Sequence, residues 1–568
     1  MRDFLRKILS EKYRGIDVDI LIPPNPEMGD YSTNLAFVLG KKEKKDPRII
    51  ARDIVEDLIN DEQFKQVQWK IEEKSGFINF YISEVFLKEQ LLKIIEEKEN
   101  YGSGEDKKLN INLEFVSANP TGPITVHNIR AAPYGDVLAN ILKKTGYGVT
   151  KEYYINDAGN QVRLLGESVA RRYLRLKGKT IEFPDNLYQG EYVTDIAKEI
   201  EKEEVAGDID NFDELVVICR DYAVNKLIGS IKDSLKDLGV GFDVWFSEKE
   251  LYKNGEIENT LKMLENGKHV YEKDGARWLR LSPVRSLARA KGASPKDLGE
   301  ATSNGVSEND GAVLVKSDGS FSYLMGDIAY TRNKFIRGSS KAINIWGTDH
   351  HGDVLRLLTG VRALGYEEGK LEILLHQLVS VKSGGEKQKM SKRKGEFVPL
   401  DDLLKEVGKD AVRFFFLMKD LDTHMEFDVE LAKEQSKKNP VFYIQYAYAR
   451  LNQIFVKSKE PSKGGQAKAK SKEEDSNFLK EKEEIQLMRK MAKFPELLND
   501  ISVNYQVHHL AQYAFGLAGD FHNFYEKHRV VQQEDKEIEG ARLILCQAVT
   551  VVLKSCLDLM GISRPKKM

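Results

Sequence analysis

A lysine-rich loop carries the clearest chemical signal in the chain. It reads KMSKRKG at Lys389–Gly395, follows a predicted strand and places three lysines within reach of one another. Mobile ammonium groups in such a loop can bind polyphosphate and stabilise the charge that develops as pyrophosphate leaves. By itself, this composition is more typical of a solvated basic loop. The surrounding sequence must therefore distinguish a polyphosphate-binding loop from a solvated basic loop.

Strand–loop–helix units surround this loop. The run INLEFV predicts a strand, the turn-rich SANPTGP follows it, and a helical pattern then ends near Thr145–Gly148. The same order recurs at Ala342–Trp346, with GTDHHG and a helix to Leu364, and Leu371–Val381 predicts a further strand. Repeated units of this kind predict an α/β Rossmann-like catalytic domain with a parallel, doubly wound sheet.

Changes of pattern along the chain predict three domains. Residues 1–105 favour a small α/β domain, and residues 106–400 hold the Rossmann-like units with a mostly helical inserted subdomain at about 166–295. Residues 401–568 favour an all-α domain, interrupted by a charged, small-residue stretch at 456–475 that predicts a flexible loop.

Composition excludes several classes of protein. The chain of 568 residues has 87 Lys and Arg against 89 Asp and Glu, a balance that excludes a uniformly basic nucleic-acid coat but allows basic faces. Cys219, Cys546 and Cys556 lie far apart without metal-ligand spacing, so neither a disulfide framework nor a zinc site is expected. No signal peptide or membrane-spanning run is evident, and we expect a cytoplasmic protein that binds no membrane.

Several longer segments narrow the interpretation. They occur in the order SANPTGP (Ser117–Pro123), YINDAGNQ (Tyr154–Gln161), DGSFSYLMGDIAY, WGTDHHG, MSKRKGEFVPLDDLL and NPVFYIQYAYAR. Together they resemble arginyl-tRNA synthetases, which are class I aminoacyl-tRNA synthetases, and the match extends over essentially the whole chain. KMSKR looks like the KMSKS loop of that class. The resemblance implies ATP-dependent attachment of L-arginine to tRNA(Arg) through an arginyl-adenylate, by a monomer with an α-helical anticodon-binding domain.

The resemblance also implies an arginine pocket. The pocket residues that it implies are Glu114, Ser117, Asn119, Tyr323, Asp327 and His350. The first three would hold the α-amino group and backbone of the substrate, whereas Tyr323 and Asp327 would frame its guanidinium, which offers a planar fork of donors to a carboxylate. Tyr323 and Asp327 are four residues apart and therefore share one helix face. From spacing alone, the pair is more typical of a surface Tyr–Asp contact.

The predicted ATP site departs from the family pattern. Class I enzymes carry an HxGH-type motif, but here the slot reads Thr125-Val126-His127-Asn128. Asn128 and Thr125 can still donate hydrogen bonds, whereas His127 replaces a glycine where adenine needs room. His127 either blocks adenine or is turned aside, and Pro133 could kink the following helix.

The resemblance assigns the remaining ATP contacts to the lysine-rich loop. The ATP-binding residues that it implies are Thr125, His127, Asn128, Lys389, Met390, Ser391 and Lys392. Lys392 would be the main catalytic residue, assisted by Lys389, Thr125 and Asn128. Magnesium would accompany ATP and partly neutralise its phosphates, and no protein metal ligand is expected.

Two residues of the N-terminal domain are candidates for tRNA binding. Phe77 and Asn79 alternate on one face of a predicted strand, as a stacking ring and an amide would need to do to read an unpaired base of the D-loop. Equally, Phe77 could belong to the core. In the C-terminal region, aromatic residues interleave with basic ones at Gln445–Arg450 and Phe521–Val530, which resembles the anticodon-binding domain of the family.

Two alternatives to the catalytic interpretation remain open at this stage. A non-catalytic tRNA-binding paralogue would explain the altered ATP slot, but the intact KMSKR loop, Glu114 and the Tyr323/Asp327 pair argue against it. A class I enzyme for cysteine would need a thiolate-binding metal site, which the cysteine and histidine spacing lacks.

Overall fold

The computed structural model describes residues 1–207, 209, 211–281, 311–383, 386–387, 398–458, 476, 478–532 and 534–568. The predicted contacts Lys389, Met390, Ser391 and Lys392 lie outside the described residues. Most of the predicted loop at 456–475 and part of the predicted insertion lie outside them as well.

The N-terminal region is a small α/β unit. Its helices are α1 (Arg2–Lys12), α2 (Leu35–Glu43), α3 (Pro47–Ile59), α4 (Glu62–Val67) and α5 (Glu84–Glu97), and its strands are β1 (Tyr31–Thr33), β2 (Lys70–Lys74) and β3 (Phe77–Tyr81). The antiparallel sheet has the order β1-β3-β2. Alternating side chains of β3, Ile78 and Phe80, are completely buried in the core. The Asp46 carboxylate caps α3, whose first residue is proline, a residue that needs no N–H partner at that position.

The middle of the chain forms a parallel sheet with helices on its faces. Its elements are β4 (Asn110–Phe115), α6 (Ala131–Lys144), β5 (Gly148–Ile155), α7 (Asn160–Leu176), α8 (Glu191–Lys202), α9 (Phe212–Asp237), β6 (Val244–Ser247), α10 (Glu248–Lys253), α11 (Glu256–Asn266), β7 (Val270–Lys273), β8 (Ala276–Arg280), β9 (Gly311–Val315), α12 (Tyr323–Ile336), β10 (Lys341–Gly347), α13 (His351–Ala363), β11 (Leu371–His376), β12 (Val379–Ser383) and β13 (Glu386–Lys387). The sheet has the order β11-β10-β4-β5-β6, with every pair parallel. This confirms the predicted Rossmann-like sheet.

The strand order reverses at β4. The chain leaves β4 for β5 on one side, and β10 later pairs with β4 on the other. In sheets of this type, ligands bind outside the carboxyl ends of the strands at the point of reversal. The turn SANPTGP begins at that end of β4. A Cβ atom on Gly135 would lie 2.4 Å from the Phe115 ring, so the helix that follows packs directly against β4.

Three expectations about the middle of the chain were wrong in detail. The predicted insertion at 166–295 contains β6, which pairs with β5 and so belongs to the main sheet; only α7–α9 form a helical unit with its own core. The predicted strand Leu371–Val381 is two strands, because Gln377 bonds instead to Leu421. Pro133 is the third residue of α6, where no intrahelical donor is lost, and it does not break the helix.

The C-terminal region is mostly helical. Its elements are α14 (Leu400–Val407), α15 (Lys409–Leu417), β14 (Met425–Asp428), α16 (Val429–Lys433), α17 (Pro440–Ser458), α18 (Lys482–Ala492), α19 (Phe494–Asn504), α20 (His508–Lys527) and α21 (Lys536–Met560). The expected all-α region is interrupted by β14, which pairs in parallel with β12 while its Met425 and Phe427 side chains alternate into the core. Val456–Ser458 of the predicted loop belong to α17. The boundaries at residues 105 and 400 stay predictions.

Among the helices of the described residues, α21 is long and apolar enough to cross a membrane by length and composition alone. Most of its apolar segment is buried inside the protein, with Val549, Val552 and Leu553 completely enclosed. A core helix of a bundle has the same composition, because it contacts other helices on several sides.

Candidate functional site

A cavity of about 450 Å³ lies at the carboxyl ends of β4, β5 and β10. It is lined by every predicted arginine-pocket residue and by part of the ATP slot, namely Glu114, Ser117, Asn119, Tyr323, Asp327, His350, His127 and Asn128. Residues that are up to 236 positions apart in the sequence are thus brought together where the strand order reverses. We refer to this space as the central cavity.

The backbone is strained where β4 ends. Val116 and Ser117 have φ values of 70° and 37°, which residues with a Cβ atom rarely adopt. Ser117 Oγ donates to Glu114 Oε1 (3.0 Å) and accepts from the Tyr154 N–H (3.1 Å). Strain of this kind persists only where the surroundings fix it, and it concentrates at functional sites.

A buried ion pair forms the floor of the cavity. The Lys334 ammonium group lies 2.6 Å from Glu114 Oε2 and also donates to Asn344 Oδ1 (2.8 Å). Lys334 is completely buried and the exposed fraction of Glu114 is 4 %. Lys334 and Ser117 therefore fix the orientation of the Glu114 carboxylate in the cavity wall.

Two further carboxyl groups lie at the cavity, Asp327 in its wall and Glu248 close to Asp327. Burial raises the pKa of Asp327 well above its usual range, and the charges of Glu114 and Glu248 add to the effect. Burial and the nearby Asp157 raise the pKa of Glu248 to about 7. Among the described residues, neither Asp327 nor Glu248 forms an ion pair. A guanidinium bound here would compensate both groups.

Glu248 was missed by the sequence interpretation. It is the first residue of α10 and directly follows β6, so it lies at the same sheet edge as Glu114. In the orientation that pairs both of its polar atoms, the Asn156 amide donates to Glu248 Oε2 (2.7 Å). Gly326 of α12 lies next to this carboxylate, since a Cβ there would be in ordinary contact with Glu248 Oε1, at 3.6 Å. The sequence signal that could have indicated Glu248 is an acidic residue directly after a sheet strand.

Aromatic rings form the rest of the pocket wall. The Tyr154 and Tyr330 rings lie 4.2 Å apart, and Tyr330 donates to Glu152 Oε1 (2.7 Å). Tyr323 and Asp327 lie one turn apart on α12, as their spacing predicted. Tyr323 is exposed at the mouth of the cavity, whereas Asp327 lies deeper.

The ATP slot is joined to the chain that follows the lysine-rich loop. The Val126 N–H donates to the Val398 carbonyl (3.1 Å), and the Leu400 N–H donates to the Ile124 carbonyl (3.1 Å). Thr125 forms a β-bridge with Pro399. The base of the loop is therefore fixed next to the slot, although the loop itself lies outside the described residues.

Within the slot, the Thr125 side chain orients the side chain of Asn128. Thr125 is buried, and its hydroxyl donates to Asn128 Oδ1 (2.8 Å), which leaves the Asn128 amide N–H₂ able to donate into the cavity. His127 lines the cavity together with Asn128. Burial, with the nearby charges of Arg130 and His127, lowers the pKa of His376 to about 4, so this second imidazole in the wall is neutral.

Comparison with known proteins gives the family. Three family models match: "Arginyl tRNA synthetase N terminal domain" at residues 1–82, "tRNA synthetases class I (R), catalytic domain" at residues 90–444 and "DALR anticodon binding domain" at residues 444–568. The chain belongs to the arginyl-tRNA synthetase family. Its expected activity, ATP-dependent charging of arginine tRNA, is that of the family, and the comparisons give the non-catalytic alternative no support.

Similar proteins match this synthetase over its whole length. The arginine–tRNA ligase of Thermotoga maritima is 41% identical, with 100% of this chain and 99% of the relative covered. The Bacillus subtilis arginine–tRNA ligase is 38% identical, with 99% and 97% covered. The structure of Thermus thermophilus arginyl-tRNA synthetase superposes with a TM-score of 0.76 at 20% identity and full coverage of both chains, a likeness of fold.

The N-terminal residues predicted to read tRNA are placed differently from one another. In this synthetase, Phe77 is half-buried and packs on Phe37, with ring centroids 4.9 Å apart. Asn79 is completely buried, and among the described residues neither its amide N–H₂ nor its oxygen has a hydrogen-bond partner. In this conformation Phe77, at the end of β3, stays partly accessible, whereas Asn79 is covered in the middle of the strand, between β1 and β2. A role of Asn79 in tRNA binding stays a prediction.

Aromatic and basic side chains meet between α17 and α20 of the synthetase. The Phe442 and Tyr446 rings are stacked with centroids 6.3 Å apart, and Tyr446 stacks on His522 at 5.8 Å. The Arg450 guanidinium lies over the Tyr446 and Tyr525 rings at 4.6 and 4.9 Å. This combination of stacked rings and a cation is typical of surfaces that bind single-stranded bases.

Proposed function

We propose that the chain activates L-arginine in the central cavity and transfers it to the terminal adenosine of tRNA(Arg). The arginine carboxylate attacks the α-phosphorus of ATP, pyrophosphate leaves, and a ribose hydroxyl of the tRNA then attacks the mixed anhydride. No enzyme nucleophile is needed, so the protein acts by positioning and by charge stabilisation. The observation that carries this proposal is the cavity wall, which brings the Asp327 carboxyl group, with Glu248 close to it, together with His127 and Asn128 of the ATP slot.

The guanidinium is held by acidic groups at the deep end of the cavity. Asp327 accepts from it, Glu248 supplies the second charge, and Tyr323 covers it from the mouth. A guanidinium has five donors in a fixed plane and can form two parallel hydrogen bonds to the Asp327 carboxylate, whereas an ammonium group is a point charge. This explains selection of arginine over lysine.

The other end of the substrate lies at the strained turn. Glu114, Ser117 and Asn119 hold the α-amino group and backbone, with His350 nearby in the same wall. Glu114 keeps spare acceptor capacity for an ammonium group, since Lys334 and Ser117 each use one of its oxygens once.

ATP lies between the slot and the lysine-rich loop, with Mg²⁺ on its phosphates. Asn128, oriented by Thr125, donates to a phosphate, and His127 supplies the imidazole that the usual first position of the motif lacks here. Lys392 and Lys389, with Met390 and Ser391, close over the phosphates; Lys392 stabilises the departing pyrophosphate. This proposal rests on the backbone hydrogen bonds and the β-bridge that join residues 398–400, which follow the loop, to residues 124–126 at the start of the slot.

The tRNA contacts the two ends of the chain. Phe77 stacks on an unpaired base of the D-loop, with Asn79 reading that base once it becomes accessible, and the rings around Tyr446 and Arg450 bind the anticodon. The enzyme works as a cytoplasmic monomer without a protein-bound zinc ion.

Amino-acid-dependent charging tests the proposed function. The purified full chain is incubated with ATP, Mg²⁺, tRNA(Arg) and either labelled arginine or labelled lysine. We expect charging with arginine and none with lysine. Charging with neither amino acid would contradict the proposed activity, and charging with lysine would contradict the proposed pocket.

A further inference from the structure

The helical unit of α7–α9 contacts the turn Ser117–Pro123 through a tyrosine. The Tyr192 hydroxyl donates to the Thr121 carbonyl (2.7 Å). Two glycines lie against the ring: a Cβ on Gly122 of the turn would lie 3.2 Å from the Tyr192 hydroxyl, and one on Gly190, the residue before α8, would lie 2.4 Å from its ring edge. Side chains at these two positions would therefore crowd the ring.

The turn depends on such contacts, since no strand pairs with it. The Ala118 carbonyl accepts from the Tyr153 hydroxyl (2.8 Å), the Thr121 N–H bonds back to Asn119, and the Thr121 carbonyl accepts from Tyr192. The turn also follows the strained residues Val116 and Ser117. A strained segment keeps one conformation only if its surroundings hold it there.

The helical unit is suited to hold the turn as one body. Its side chains form a hydrophobic core of their own, separate from the cores on the two sides of the main sheet. It touches the turn a second time where the Asn119 amide donates to Gln161 Oε1 (2.9 Å). Asn119 lines the central cavity, so the position of this unit fixes a residue of the arginine pocket.

We propose that Tyr192 is a positioning residue for aminoacylation. It holds the Thr121 carbonyl and thereby fixes the turn that presents Ser117 and Asn119 to arginine and leads into the ATP slot. The inference rests on the proposed function, since it assigns the turn to the arginine pocket. Tyr192 is not one of the residues that line the cavity, so its role is exerted through the turn.

Tyr192→Phe tests this role, because it keeps the ring between the two glycines and removes only the hydrogen bond. We expect the KM for arginine to rise about fivefold, as the loss of one neutral hydrogen bond predicts, with the KM for tRNA and the melting temperature unchanged. The matched control is Tyr222→Phe, in the same helical unit, whose hydroxyl bonds to Glu203 (3.0 Å) away from the turn. We expect the control to match the unaltered protein in all three quantities.

Gly122→Ala approaches the same contact from the turn. Its methyl group would meet the Tyr192 hydroxyl, and we expect the KM for arginine to rise here as well. The proposal is overturned if Tyr192→Phe has the same arginine KM as Tyr222→Phe, or if both Tyr192→Phe and Gly122→Ala change only the melting temperature. Charging by the unaltered protein in the same assay separates these outcomes from a failure of the proposed function, which would abolish charging altogether.

Discussion

The Lys334 ammonium group and the Glu114 carboxylate form an ion pair of 2.6 Å beneath the central cavity, and both side chains are buried. The pair joins α12, which carries Tyr323 and Asp327, to β4, which ends at the strained turn. One buried ion pair thereby connects the α12 side of the arginine pocket to the β4 side.

Replacing Lys334 by Met should destabilise the protein by about 3–5 kcal/mol, because it leaves a buried carboxylate without its partner. The drop is measured as a lower melting temperature or urea midpoint. Arg356→Met is the control: its contact with Asp353 is half exposed, and a loss of about 0–1 kcal/mol is expected. Equal losses in the two variants would contradict the structural role of the pair.

Asp327→Asn should raise the KM for arginine about 100-fold, since it removes a carboxylate that faces the guanidinium while keeping the shape of the side chain. Steady-state charging with varied arginine measures this. Asp349→Asn changes an exposed carboxylate of the same cavity and should alter that KM less than about threefold. If the two variants behave alike, Asp327 does not bind the guanidinium.

Glu248 should make stability depend on pH. Its pKa is raised from 4.5 to about 7, so the folded protein binds a proton more tightly than the unfolded chain, and stability is lost as pH rises from about 4.5 to 7. Glu248→Gln cannot ionise and should be more stable than the unaltered protein by up to about 3 kcal/mol at pH 8, with little difference at pH 4. A stability difference that does not change with pH would contradict this assignment.

Arginine binding should show the opposite trend with pH, because the guanidinium needs the ionised carboxylates. The dissociation constant for arginine, measured by calorimetry, should fall as pH rises from 6 to 8 in the unaltered protein. In Glu248→Gln it should be higher and vary less over that range. His376 does not contribute, since its lowered pKa of about 4 lies outside the range.

Sheet positions were the part of the site that the sequence predicted well. The apolar runs at β4 and β10 and the turn after β4 follow from local patterns, and the i, i+4 spacing of Tyr323 and Asp327 placed both on α12. Glu248 could not be found in this way, because its proximity to Asp327 depends on the pairing of β6 with β5, which no local pattern encodes. The short strand β14 was missed for the same reason: it is stabilised by pairing with β12, 46 residues away.

The sequence also could not predict how deeply the side chains of β3 are buried. Alternation correctly puts Phe77 and Asn79 on one face, but it cannot tell which part of that face is covered. Phe77 lies at the end of the strand and stays half-exposed, whereas Asn79 is enclosed.

Phe77→Ala distinguishes the two interpretations of this ring. If Phe77 stacks on a base, the KM for tRNA(Arg) should rise by about 5- to 100-fold, in line with one base–aromatic stack, while the melting temperature changes little. Phe80→Ala is the control, because Phe80 is completely buried in the same strand and its loss should lower stability instead. A lower melting temperature for Phe77→Ala with an unchanged KM for tRNA would assign Phe77 to the core.

Aminoacylation of tRNA(Arg) by the unaltered protein and by His127→Gly shows whether the unusual Thr-Val-His-Asn slot supports charging. We predict that the unaltered protein attaches arginine in the presence of ATP and Mg²⁺, and that His127→Gly is at least about tenfold slower because it loses a phosphate donor. Charging by His127→Gly alone would contradict the account, since His127 would then block the nucleotide site rather than serve it.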